Sequence, residues 1–501
     1  MFTLCVLISI FCAYLYYHLK IHYEYWKTRG VPNPTVSYMF GNLYESVIFR
    51  KSLGQIYHEI YKQFPNLTYV GFFKLRTPGI IVRDPELVRD VLIKSFHYFQ
   101  ANDLKIDDVN DPLIAKNPFF IHGDKWKRNR SLLSPSFTSK QVKPLFPLME
   151  VVCQDLIKYL DETDPGKNGI DAKELAQRFT MDVVANCAMG LKADSFKYRN
   201  TKFRTMAEKI LSPSFFTNLK LYFLFAIPSL ATFLKLKFVP DEAGNYFRKV
   251  VNETLSYREV NNIIRYDFLN NMNDIKLSLG DDVFSNEDIT IHLVGFFMDG
   301  FETSSVVLSH ALYEFAANPQ FQDELKNEID EVLEIHGKFD YYILRDMDFL
   351  NRCLQESLRM HPADMFISKL CTEEYTFPSP TGDGLGIVLE PKTPIIIPIH
   401  SLHYDPKYYP NPERFDPDRF TKENKEKIVK GTYLPFSDGP RICLGQKFAL
   451  GQIRAAIVHI VANFEIRINE RTIQPLQIDP TSTLVAAKGG IWLNFYKRKK
   501  I

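Results

Sequence analysis

Cys443 lies in FSDGPRICLGQKF, Phe436 to Phe448, a loop that also holds Gly439, Arg441 and Gly445. The apolar run GQKFALGQIRAAIVHIVANF follows at once and predicts a helix over Gly445 to Ala462. A cysteine just ahead of a helix start meets the positive end of the dipole and free backbone N–H groups, which favour the thiolate. A thiolate is a metal ligand. The loop offers no second cysteine and no histidine to complete a zinc site. A metal here would take most of its ligands from elsewhere, and a porphyrin supplies four. The two glycines would clear side chains from a flat macrocycle, and Arg441 could pair with one of its carboxylates. A loop cysteine that merely fills space leaves the glycines and the arginine unexplained.

A second constellation is VGFFMDGFETSSVVL, Val294 to Leu308. Asp299, Glu302 and Thr303 fall at i, i+3 and i+4 on one helix face. Polar groups amid so many apolar ones are expensive to bury without a task. The bland alternative is a helix bend, with Gly300 and a Thr303 hydroxyl bonded back to a carbonyl. Glu356 and Arg359 in ESLR share a face at i and i+3, although Glu86 and Arg89 show the same spacing by accident.

The loop around Cys443 matches F-x-x-G-x-R-x-C-x-G at every fixed position. In this it resembles the haem-thiolate loop of the cytochrome P450 monooxygenases, and the other motifs follow in that family's order over essentially the whole chain. The resemblance implies haem b with Cys443 as axial iron ligand and Phe436, Gly439, Arg441 and Gly445 around it. Trp126 and Arg130 in WKRNR match the family's Trp-x-x-x-Arg beside the haem propionates. Lys369 in SKLCTEEY stands where relatives carry arginine, and His403 in SLHYDP resembles another propionate-side position. Glu302 and Thr303 would guide protons to the oxygen being activated. Asp299 is a departure, because the family has a small uncharged residue there; it is grouped with the catalytic pair, and so near Glu302 it should raise the pKa of one of them. Glu356, Arg359 and Arg414, the last from NPERFDPDRF, would form a structural charge cluster that stabilises only if fully paired.

These residues need a scaffold. Long helical patterns predominate: Pro85 to Lys94, Val142 to Tyr159, Ala172 to Met189, Asn286 to Ala317 and Gln320 to Leu333. Strand signals are short. LTYVGFF and GIIVRD predict a hairpin turned at Thr77-Pro78-Gly79, and TPIIIPIH a buried strand. The expected fold is mainly α with small β sheets, P450-like, behind one N-terminal membrane anchor helix. Residues 1–19 are the anchor, 20–40 a basic, proline-containing linker, and 41–501 a single catalytic domain. A cleaved signal peptide is the rival, but the basic residues come after the apolar run and no small-residue cleavage site follows. Positive charge after the span places the rest of the chain in the cytoplasm. The apolar segment Ser212 to Phe238 is core or a loop dipping into the membrane surface.

A net charge of +2 gives no reason to expect nucleic acid. Seven cysteines, widely spaced and odd in number, make no disulfide framework. By resemblance, electrons come from NADPH through a separate reductase, with cytochrome b5 as a further donor, and this chain binds no NADPH. The basic cluster Lys125, Lys127 and Arg128 could dock an acidic reductase. The substrate is an apolar small molecule, the location the endoplasmic reticulum membrane, and the subgroup most like insect microsomal members related to drug-metabolising ones. The rivals are a peroxide isomerase or dehydratase on the same scaffold, a haem-binding sensor or carrier without turnover, and a membrane scaffold without haem.

Overall fold

A computed structural model describes residues 2–104, 106–163, 168–198, 201–211, 219–220, 223–224, 228–384 and 386–499. Much of the segment 212–238, with Phe215 and Phe216, therefore lies outside the described residues. The described chain divides into two compact units.

The first unit comprises Met1–Leu104, Asp364–Pro412 and Ile428–Ile442. It opens with the helix Phe2–Tyr23, which runs past residue 19 and is long and apolar enough to cross a membrane. The segment after it is no free linker. Trp26 is buried, its indole N–H donates to Phe72 O at 2.9 Å, and Gly71 leaves room for the ring. Apolar burial of this size docks the chain firmly.

A five-stranded sheet follows. Tyr69–Lys74 pairs antiparallel with Thr77–Val82, from Tyr69↔Val82 to Lys74↔Thr77. The turn is thus Leu75-Arg76, with Leu75 left-handed at φ 56°, and Thr77-Pro78-Gly79 lies inside the strand rather than forming the turn. Two-residue hairpin loops favour such positive φ values, which is why the proline and glycine misled. Pro394–Ile397 lies parallel to Thr77–Val82 and antiparallel to Ile367–Leu370. It is buried throughout, as its unbroken apolar sequence requires.

The second unit comprises Lys105–Ala363, Glu413–Lys427 and Cys443–Ile501. Its axis is the helix Asn286–Ala317, started by a reciprocal Ser285/Asp288 capping box. Ala172–Val184, Asp241–Val260, Asp348–Met360 and Gln446–Asn463 pack around it. The expected helices 85–94 and 172–189 each end in a π turn, Asp90–Lys94 and Ala185–Met189. Phe296 packs with Phe137, Phe268 and Phe448, and Phe297 with Phe203 and Phe247. Phe297 is wholly core and Phe296 largely so.

Candidate active site

In the first unit, the chain approaches Cys443 through a tight bend. Ser437 is left-handed at φ 62°, and Asp438 accepts the Gly439 N–H at 2.7 Å, capping the turn Gly439–Arg441. Gly439 has φ +71°, and a Cβ there would run into the Leu92 carbonyl. Its glycine is therefore demanded by the backbone and by Leu92, and clearance for a macrocycle is not needed to explain it. Phe436 is half-buried in the same bend.

Lys369 is buried, and its ammonium donates to Asn102 at 2.9 Å. Burial, then the Arg441 charge, pulls its pKa well below the usual lysine range. Buried Lys369, which a nearby negative charge would keep protonated, and half-buried Arg441 suit an anionic group such as a propionate, so this donor set fits haem. His403 is tied into the same unit. Its buried ring accepts the Leu434 N–H at Nε2, 2.9 Å away, and stacks on Tyr433. That is a structural task, fixing the strand of chain that leads to Phe436.

In the second unit, Gly445 caps the helix Gln446–Asn463 at an ordinary φ of −82°, and a Cβ there meets no atom within 4 Å. Cys443 is exposed, whereas Cys153, Cys187, Cys353 and Cys371 are buried. Trp126 is buried on the helix Gly123–Leu133, and Arg130 follows one turn later on the same face. Burial lowers the Arg130 pKa, and the Cys443 charge opposes that fall, so the two side chains sense each other. Lys125, Lys127 and Arg128 are exposed, as a solvated basic face should be.

Between Ile289 and Ala316 every residue of the long helix is buried except Phe296, Asp299, Gly300, Glu302 and Thr303. The positions 296, 299, 300 and 303 recur every three or four residues, so they form one open stripe. Thr303 Oγ1 donates to Asp299 O at 2.5 Å, the back-bond weighed as the bland alternative. Glu302 points elsewhere. It accepts from Lys173 Nζ at 2.7 Å and Gln177 Nε2 at 3.0 Å, and Lys173 also reaches Ser305. Asp299 instead accepts from Asn117 Nδ2 at 3.2 Å.

Glu356 and Arg359 pair in full burial at 2.7 Å. The third member is Arg419, whose Nε lies 3.2 Å from Glu356 Oε1, with the Asp416 N–H at 3.0 Å. Arg414 is exposed, which corrects its assignment to the cluster. NPERFDPDRF contains Arg-Phe twice, five residues apart, and only the second falls on the turn Pro417–Phe420 that faces Glu356. Lys173, Gln177 and Asn117 carried no motif signal.

The cytochrome P450 family profile matches residues 31–494. Cytochrome P450 6j1 of Blattella germanica is 34% identical over 99% of this chain and 97% of its own length. Cytochrome P450 6k1 of the same species is 35% identical over 97% and 95%, and cytochrome P450 6a2 of Drosophila melanogaster 33% over 98% of each. With a family profile over nearly its whole length and relatives of this identity and coverage, the chain belongs to the cytochrome P450 family of haem-thiolate monooxygenases.

Proposed function

We propose that Cys443 supplies the axial thiolate and that this chain oxidises an apolar small molecule with electrons drawn from NADPH through a separate reductase. The observation that carries the assignment is Cys443 itself: outside the N-terminal helix it is the exposed cysteine among the described residues, and it stands beside Arg130 ahead of a helix. When bound, the haem supplies dioxygen activation, which a thiolate ligand promotes. Trp126 and Arg130 of the second unit would be propionate donors, as would Lys369 and Arg441 of the first. The protein's own contribution is orientation and control of water and protons.

Thr303 Oγ1 carries a proton on the open stripe, now given to Asp299 O. Glu302, steadied by Lys173 and Gln177, is the adjacent group that would renew it through water. The apolar helix Phe2–Tyr23 supports anchoring in the endoplasmic reticulum membrane with the catalytic part in the cytoplasm. Exposed Lys125, Lys127 and Arg128 suit an acidic reductase, and cytochrome b5 as a further donor.

The test uses purified protein with reductase and NADPH. The reduced CO complex should show the thiolate-type Soret band, and NADPH consumption should track product from an apolar panel. A thiolate band without substrate-dependent NADPH consumption would favour a sensor or carrier, and absence of the band would sink the assignment.

A further inference from the structure

Away from the Cys443 loop, two helices of the second unit bring three metal-binding side chains together. Glu150 and Cys153 stand at i and i+3 on the helix Phe146–Glu162, and so share a face. His459 comes from the helix Gln446–Asn463, which packs against it. The Glu150 carboxylate, the Cys153 Sγ and a His459 ring nitrogen all lie within 4.8 Å of one another. Glu150 Oε1 and His459 Nε2 are 3.0 Å apart. Cys153 is fully buried, whereas His459 and Glu150 keep 17% and 25% of their side chains exposed. The cluster therefore has a closed floor and an open rim through which an ion can enter. Phe339 sets its ring edge-on to His459 at 5.3 Å and gives the imidazole an apolar neighbour.

A thiol, an imidazole and a carboxylate make a borderline-soft donor set. Calcium and magnesium take oxygen ligands, whereas zinc takes all three of these groups and binds them tetrahedrally. Zinc bonds of ~2.0–2.3 Å put ligand atoms ~3.3–3.6 Å apart, so side-chain shifts of about 1 Å close the cluster onto an ion. The charges balance as well. Without a metal, burial first and then the Glu150 charge hold the Cys153 thiol well above the usual cysteine range, so it keeps its proton. Zinc binding breaks the S–H bond, forms a Zn–S bond and releases the proton to water. One thiolate and one carboxylate then cancel the two charges of the ion, with His459 neutral, and a neutral centre costs far less to bury than its separate ions. We propose that Glu150, Cys153 and His459 form a zinc site, with water as the fourth ligand, that clamps the helix Phe146–Glu162 to the helix Gln446–Asn463. At ~1.5 Å per residue, His459 stands ~20 Å along its helix from Gln446. The site is therefore separate from Cys443 and independent of the monooxygenase assignment.

The test takes the haem-loaded full chain, stripped of loose metal by dialysis against a chelator, and adds zinc alone. Affinity is read by equilibrium dialysis with radioactive zinc. X-ray absorption at the zinc edge of the wild type should show one sulfur at ~2.3 Å and nitrogen or oxygen ligands at ~2.0–2.1 Å. The thermal midpoint should rise with zinc concentration, as binding to the folded state alone requires. Cys153→Ser should remove the sulfur signal and weaken binding by ~100-fold or more, since even the partners that only orient metal ligands are worth about 10–100-fold. His459→Gln and Glu150→Gln should each weaken it by at least ~10-fold. Cys187→Ala, which removes a buried thiol bonded to Leu145 O, should leave zinc affinity unchanged. Failure of the wild type to bind zinc overturns the proposal. So does zinc held without a sulfur ligand, or an adventitious ion held equally by wild type and Cys153→Ser. If Cys153→Ser fails to fold, the partly exposed positions decide: unchanged affinity in both His459→Gln and Glu150→Gln overturns the site. Loss of the thiolate-type CO band would instead defeat the monooxygenase assignment and leave the zinc result standing.

Discussion

Lys173 Nζ lies 2.7 Å from Glu302 Oε1, tying the helix Ala172–Val184 to the long helix Asn286–Ala317 at the point where the latter is open. Both side chains are about one-fifth exposed. Removing the lysine leaves a partly buried carboxylate short of its cation. Lys173→Met should destabilise the protein by ~1–3 kcal/mol, and the Lys173→Met, Glu302→Gln pair by less than the sum of the two. Denaturant unfolding of the four proteins measures the coupling. Strict additivity would show that the contact contributes nothing.

The charge cluster distinguishes two arginines. Glu356 and Arg359 are fully buried and Arg419 nearly so, whereas Arg414 is exposed. Arg419→Met should destabilise by ~3 kcal/mol or more, because it leaves a buried charge underpaired. Arg414→Met should stay within about 0.5 kcal/mol of wild type. Thermal midpoints measured in parallel check the order, and a larger effect at Arg414 would contradict the geometry.

The two loop glycines should fail in different ways. Gly439→Ala forces a side chain into left-handed backbone and against the Leu92 carbonyl, so it should lower stability with or without haem. Gly445→Ala meets no protein atom. It should leave the haem-free protein's melting unchanged and show itself only as weaker haem retention. Thermal unfolding before and after haem loading separates the cases.

Acid should weaken the fold through His310. Burial first, then the His361 charge and Lys173, push its pKa down to about 3, against a smaller opposing effect of the Val306 carbonyl bonded to Nδ1. The unfolded chain therefore binds a proton that the folded one refuses. The stability of the neutral ring is present above about pH 6.5 and is lost as pH falls toward 3. The slope is at most ~1.4 kcal/mol per pH unit for this one group. His310→Phe should flatten unfolding free energy against pH across that window. An unchanged slope would remove His310 from the account.

Much of this protein is written locally. The long helix runs over the span its periodicity predicts, Asn286 to Ala317, because its start is set by the Ser285/Asp288 box and its end by Asn318-Pro319. The anchor-length helix, the buried Pro394–Ile397 strand and the Cys443 loop are likewise carried by neighbours a few residues apart. Spacing within a few residues leaves a periodic trace, and that trace survives in a single sequence.

Tertiary structure decided what distant residues do to each other. It chose Arg419 over Arg414 for Glu356, bonded Glu302 to Lys173 129 residues away, and set Asn117 against Asp299 across 182 residues. It made Leu92 the reason for Gly439 and a backbone N–H the partner of His403. It also packed Trp26 into a segment that its prolines and charges marked as linker. None of these contacts has a spacing that a sequence could reveal. They exist because burial leaves each polar group only the partners that folding happens to deliver.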